Sequence, residues 1–190
     1  MRGEPRTRWG WHELTERWAR QIVDDAGIAP GDLVLDIGAG TGSLTAPLVA
    51  VGARVVAVEL HPVRARILRR RFADANVVVV QADASELRLP RGAFRVVANP
   101  PFALTTALLK RILRPESALV TADLVVPRHV ARRWTRLDAP GAHRWQRVYA
   151  PSIGRAVPAR AFRPPATQPV NVLCIRRRPP WRETQRTRLR

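Results

Sequence analysis

The sequence predicts an α/β domain on a mostly parallel, seven-stranded sheet. Two observations carry that expectation. Short apolar runs rich in valine and leucine alternate with segments of helical period, the pattern of strands joined by crossover helices. Glycine, acidic or Asn-Pro groups then stand at the ends of the first four runs, where an open α/β sheet presents its ligand-binding edge. With 190 residues, the chain has the length of one such domain.

Each element follows from its residues. Glu13 to Ala26 has an amphipathic period and stops at Gly27 and Pro30, which predicts a first helix. Leu33–Ile37 is apolar except at Asp36 and reads as a first buried strand. Ser43 to Val51 predicts a helix in which Pro47 falls early enough to be tolerated. Arg54–Val58 is a second strand, and Pro62 suits the first turn of a helix running to Phe72. Val77–Val80 and Phe94–Ala98 are a third and a fourth strand, Thr105 to Leu113 is helical, and Ser117 to Val126 contains a fifth strand. Beyond Pro127 the periodicity blurs, and Gln146–Ala150 with Val170–Ile175 is expected to close the sheet as an antiparallel pair. There is no internal repeat.

Charge narrows the class of partner. The formal net charge is +18, and every basic residue except Lys110 is arginine. The choice of arginine over lysine can reflect codon usage, but the surplus over 15 acidic residues does not. Such a surplus predicts a polyanionic partner, nucleic acid before membrane, because the basic segments lack a long apolar face. Residues 1–30 are balanced at five arginines and five acids, whereas residues 151–190 hold ten arginines and one acid. Two further clusters are Arg64, Arg66, Arg69, Arg70 and Arg71, and Arg128, Arg132, Arg133 and Arg136. Any one of them can be a solvated helix face. No apolar run approaches a membrane span, and Met1 to Thr7 lacks the apolar core of a secretory signal. The lone Cys174 excludes an internal disulfide and a multi-cysteine metal site. A cytoplasmic, metal-free monomer is expected.

The first strand runs into Asp36-Ile37-Gly38-Ala39-Gly40-Thr41-Gly42. Glycines let a backbone turn sharply against a ligand. The spacing G-x-G-x-G is not the G-x-G-x-x-G of a dinucleotide site, and no Gly-Lys-Ser/Thr follows as in a P-loop. Asp36 beside the loop disfavours pyrophosphate and favours a cationic ligand such as S-adenosylmethionine, with its ammonium and sulfonium. Glu59 ends the second strand, where a carboxylate can accept from both ribose hydroxyls. Asp83 ends the third, within reach of an adenine amine. Their bland counterparts are a loop cap at Asp36, a solvated strand end at Glu59, and a cap of the turn Ala84–Leu87 at Asp83.

Asn99-Pro100-Pro101-Phe102 follows the fourth strand directly. Two prolines stiffen the loop and leave carbonyls free to accept. The Asn99 side-chain oxygen and the Pro100 carbonyl can both accept from an adenine amino group, localising its lone pair and aiming it. Phe102 offers a face on which an extruded base can stack. The alternative is a rigid Pro-Pro turn that merely ends a strand.

With these loops in this order, the chain resembles the amino-methyltransferases that carry an Asn/Asp-Pro-Pro-aromatic motif. More closely, it is similar to the Erm family of ribosomal RNA adenine-N6 methyltransferases, in a short actinobacterial branch. The carriers are Asp36–Thr45 (DIGAGTGSLT), Val56–Pro62 (VAVELHP), Gln81-Ala82-Asp83, Val97–Phe102 (VANPPF) and Pro158–Val170 (PARAFRPPATQPV). The resemblance implies a Rossmann-like class I S-adenosylmethionine-dependent methyltransferase over residues 1–178, of which 1–30 are an N-terminal segment and helix. It implies an adenine in the peptidyl-transferase region of 23S ribosomal RNA as target, with one or two methyls added, and resistance to macrolide, lincosamide and streptogramin B antibiotics. It places Gly38, Gly40, Glu59, Asp83 and Ala84 at the cofactor and Asn99 and Phe102 at the target adenine. Asp36, Ala39, Leu60 and Asn99 are further expected at the cofactor and Pro100 at the adenine, while His12 is either a cofactor or RNA contact or a partly buried structural histidine.

Two departures qualify the match. Where most Erm members carry Gln-Asn-Phe-Leu, this chain reads Trp9-Gly10-Trp11-His12-Glu13-Leu14. The family's small C-terminal helical domain is expected to be mostly lacking. Arg176 to Arg190, with 179–190 as a mobile basic tail, is expected to serve as an electrostatic arm in its place. Alternatives left open are a small-subunit rRNA dimethyladenosine transferase, a protein glutamine methyltransferase, a DNA adenine methyltransferase and a non-catalytic RNA-binding module.

Overall fold

The computed structural model describes residues 12–179. Nine strands occur among them: β1 (Glu13–Leu14), β2 (Leu33–Ile37), β3 (Arg54–Val58), β4 (Val77–Val80), β5 (Phe94–Ala98), β6 (Leu119–Pro127), β7 (Tyr149–Val157), β8 (Phe162–Arg163) and β9 (Val170–Arg177). The helices are α1 (Glu16–Ala26), α2 (Thr45–Ala50), α3 (Pro62–Arg71), α4 (Thr105–Ile112), α5 (Arg128–Trp134) and α6 (Ala142–Trp145). The main sheet has seven strands in the order β4-β3-β2-β5-β6-β9-β7. Its first five are parallel, and β9 runs antiparallel to both β6 and β7. This is the fold of the class I S-adenosylmethionine-dependent methyltransferases.

Alternation along the strands builds two cores. Val34 and Leu35 point to opposite faces. Val34 joins Ala19, Ile22 and Val23 of α1 and Leu48 of α2, and Leu35 joins Leu108, Leu109 and Ile112 of α4 with Trp134 of α5 and Trp145 of α6. Burial on both faces explains the nearly unbroken apolar sequence of the inner strands. Asp36 is one of the few buried polar exceptions, with Thr121 and Asp123 of β6, and it lies at the carboxyl end of β2.

Two expected elements differ most from the structure. The first helix begins at Glu16, because Glu13 and Leu14 instead pair antiparallel with Arg163 and Phe162. Leu14 and Phe162 are buried together in the core under α1, an apolar gain that outweighs one more turn of helix. The strand expected over Gln146–Ala150 runs instead from Tyr149 to Val157. Residues 142–145 form α6, which seats Trp145 against Trp134 with ring centroids 5.8 Å apart. Pro151 is tolerated in β7 because that strand pairs on one side alone. Trp9, Trp11, Met1–Thr7 and the basic tail from residue 180 onward lie outside the described residues.

Candidate active site

The carboxyl ends of β2, β3, β4 and β5 open into one cavity of about 450 Å³, within the range of small-molecule sites. Its lining includes every residue expected at the site: His12, Asp36, Gly38, Ala39, Gly40, Glu59, Leu60, Asp83, Ala84, Asn99, Pro100 and Phe102. Pro101 of the same loop lines it too, as do Glu13, Ser43, Arg64, Leu104 and Leu108, which were not anticipated there.

The glycine loop hangs from the end of β3. Gly38 and Ala39 donate their N–H groups to the Val58 carbonyl at 2.8 and 3.0 Å. Gly38, Gly40 and Gly42 all have positive φ, at 76°, 59° and 97°, a region that disfavours a side chain. Gly38 has a second constraint. A Cβ there would lie 3.0 Å from Pro101 Cδ and 3.4 Å from Pro100 Cα. The glycine loop and the Asn-Pro-Pro loop therefore touch, and Gly38 is what lets them approach.

The three acids sit in different environments. Asp36 is 1% exposed and accepts from the Thr45 hydroxyl at 2.7 Å. Burial, with the nearby Glu59 charge, pushes its carboxyl up to about 7 against the Thr45 bond. Glu59 is also buried, but well supplied with donors. Its Oε2 accepts from Gly40 N–H at 2.9 Å, and its Oε1 accepts from His61 N–H at 2.8 Å and from Arg64 Nη2 at 2.8 Å. Asp83 uses Oδ1 to accept from both the N–H and the hydroxyl of Ser85, each at 2.8 Å, which holds its carboxyl below the usual range. It thus does cap the turn that follows β4, and it faces the cavity while doing so.

In the second loop, the Pro101 carbonyl accepts from Leu104 N–H at 2.9 Å and starts a 3-10 turn over Phe102–Leu104. The Pro100 carbonyl has no backbone donor among the described residues. Asn99 donates from Nδ2 to the His12 carbonyl at 2.7 Å, so Oδ1 is left as an acceptor. Phe102 is half-buried, with one side packed on the core beneath α1.

The ribosomal RNA adenine dimethylase family model matches residues 6–152. The chain belongs to that family. Among curated members of the group, it is 37% identical over 183 residues to ribosomal RNA small subunit methyltransferase A of Thermosynechococcus vestitus, covering 90% of this chain and 69% of the relative. It is 32% identical over 169 residues to an rRNA adenine N-6-methyltransferase of Bacillus licheniformis, covering 86% of this chain and 59% of the relative. Among solved structures, the 23S rRNA methyltransferase ErmE superposes with a TM-score of 0.76 at 27% identity, covering 87% of this chain and 70% of that one. Family membership makes this dimethylase-family chain an S-adenosylmethionine-dependent enzyme.

The cavity suits that cofactor. Acids at Asp36, Glu59 and Asp83, glycine backbone at residues 38 and 40, and apolar walls at Leu60, Ala84 and Leu108 supply acceptors and surface for a cationic adenosyl compound. Arg64 escaped the sequence reading because it stood in a run of arginines. Its position five residues after Glu59, on the first turn of α3, is the signal that would have found it. The bond between Asn99 and His12 has no sequence signal at all. Among the described residues no cluster of His, Cys, Asp and Glu has metal-site geometry, and no helix is long and apolar enough to cross a membrane.

Proposed function

We propose that this chain methylates the N6 amino group of an adenine in the peptidyl-transferase region of 23S ribosomal RNA, and that the modification confers macrolide, lincosamide and streptogramin B resistance. The observation that carries the chemistry is the meeting of the two loops, with Asn99 Oδ1 and the Pro100 carbonyl both left to accept beside the cofactor cavity. Asp36 would attract the cofactor's ammonium, Glu59 its ribose hydroxyls, and Asp83 its adenine amine. The glycines at 38 and 40 with Ala39, Leu60 and Ala84 would form its bed. The cofactor supplies an electrophilic methyl group. Asn99 and Pro100 take hydrogen bonds from the target amino group, draw its lone pair out of the ring and orient it. Phe102 stacks on the extruded base. No strong base is needed, because the amino proton becomes acidic as the nitrogen gains carbon and can pass to water.

The large-subunit target is supported by the likeness to ErmE and by the motif set. The 37% and 38% identities to two small-subunit methyltransferases favour a second reading, a housekeeping dimethylation of 16S RNA. Tritiated S-adenosylmethionine, protein-free bacterial rRNA and primer extension separate the two. Label at N6 of a peptidyl-transferase adenine is expected. Label confined to small-subunit RNA would replace the first reading with the second, and label in neither RNA would reject both.

A further inference from the structure

Asn99 is held from outside its own loop. The His12 carbonyl that accepts its Nδ2 belongs to a residue 87 positions away. His12 is itself tied to a third part of the chain. Its ring Nδ1 lies 3.0 Å from the Pro164 carbonyl, and since a carbonyl can only accept, Nδ1 carries the hydrogen whatever the charge on the ring. The ring also meets Phe162 edge to face, with centroids 6.4 Å apart at 81°. Just beyond it, Glu13 and Leu14 pair with Arg163 and Phe162, and Thr15 N–H donates to the Ala161 carbonyl at 2.8 Å.

A primary amide has two orientations that exchange O and NH2. An Asn99 amide aimed at an adenine amino group must present oxygen, because NH2 would set donor against donor. The His12 carbonyl makes the same selection from the other side. It accepts Nδ2, and a flipped amide would set Oδ1 against a second oxygen at 2.7 Å. We propose that His12 is a positioning residue. Its carbonyl locks the Asn99 amide with Oδ1 toward the target amino group, and its ring, held by Pro164 and Phe162, keeps that carbonyl in place. The proposal rests on the adenine-methylation reading and assigns the Phe162–Pro164 segment a part in the chemistry.

The test compares kcat on rRNA, KM for rRNA and cofactor Kd by calorimetry, for the unaltered chain, His12→Ala, His12→Asn, Asn99→Ala and the His12→Ala/Asn99→Ala double variant. His12→Ala is expected to lower kcat, at saturating rRNA and cofactor, roughly tenfold or more through misplacement of the amide, beyond any change in cofactor Kd that follows from its place on the cavity lining. His12→Asn, whose side-chain N–H reaches the position of Nδ1, recovers most of the loss. Asn99→Ala lowers kcat about a hundredfold, and adding His12→Ala to it changes kcat by less than about twofold, as expected when one residue acts through the other. His12→Phe keeps the contact with Phe162 without the hydrogen bond and serves if the alanine variant is too unstable. Multiplicative losses in the double variant, a weakened cofactor Kd in place of a lower kcat, or failure of His12→Asn to recover activity would each overturn the positioning role alone. Normal kcat in Asn99→Ala would overturn the adenine-holding reading and the proposal together.

Discussion

On the proposed function Asn99 acts on the target amino group while Asp36 and Glu59 take the cofactor, so binding and chemistry come apart at Asn99. Asn99→Ala is therefore expected to lower turnover by about two orders of magnitude, and Phe102→Ala by roughly tenfold to a hundredfold as base stacking is removed. Both should leave cofactor affinity nearly unchanged in a calorimetric titration, and an equal loss of affinity would reassign the residue. Asp36 yields a pH prediction. Its carboxyl lies near 7 in the folded chain against 3.8 when unperturbed. Between those values the folded chain holds a proton that the unfolded chain has lost, so stability falls as pH rises from about 4 to about 7 and then levels. Asp36→Asn should remove that fall, on the order of 4 kcal/mol for a carboxyl raised from 3.8 to about 7. Thermal melts of the two proteins should converge near pH 4 and separate at pH 8, with the variant the more stable. A cationic ligand draws Asp36 into its ionised form, so cofactor affinity should rise through pH 7 in the unaltered chain and stay flat in the variant.

The glycine loop between β2 and α2 is the element on which site and fold both depend. A Cβ on Gly42 would stand 2.6 Å from Phe72 Cε2, and the Phe72 ring is held in the core beside α3. Gly42→Ala should therefore destabilise the chain by about 1–3 kcal/mol, visible in denaturant melts. Gly38→Ala meets the Asn-Pro-Pro loop instead, so its larger effect should fall on kcat. A Gly38→Ala variant with full activity would show that the two loops move independently. The parallel strands of the sheet were legible because each is a short β-branched run bounded by turn residues. The pairing of Glu13–Leu14 with Phe162–Arg163 was not. Two residues carry no period, and their partner lies far along the chain. The extent of β7 was hidden for a related reason, since Pro151 and Gly154 break strand propensity and an edge strand tolerates both.

Over the whole molecule, the arginines divide into two sets. Some are structural: Arg155 pairs with Asp25 across α1 and β7, Arg176 with buried Asp123, and Arg177 donates to the Ser117 and Leu119 carbonyls. Others are exposed, among them Arg66, Arg69 and Arg70 on α3 and Arg132 and Arg133 on α5. Both helices start at the edge of the sheet that opens the cavity, because each follows the carboxyl end of a parallel strand. RNA affinity should weaken steeply with salt. Replacing Arg66, Arg69 and Arg70 with alanine should reduce the log–log slope by roughly 0.7–0.9 for each phosphate that is no longer neutralised. Cofactor affinity should not follow salt in the same way. Deleting residues 179–190 should weaken RNA binding across the same salt series, and unchanged affinity would dismiss the tail as an arm. By itself, the sequence determined the succession of strands and helices along the chain, the glycine and Asn-Pro-Pro loops and the acids at the strand ends, because these are local signals of period, conformation and charge. Only the tertiary structure decided that the loops touch through Gly38, that burial raises Asp36, and that His12 holds Asn99. Each of these depends on which distant residues share a few ångströms of space, and no spacing along one chain encodes that distance.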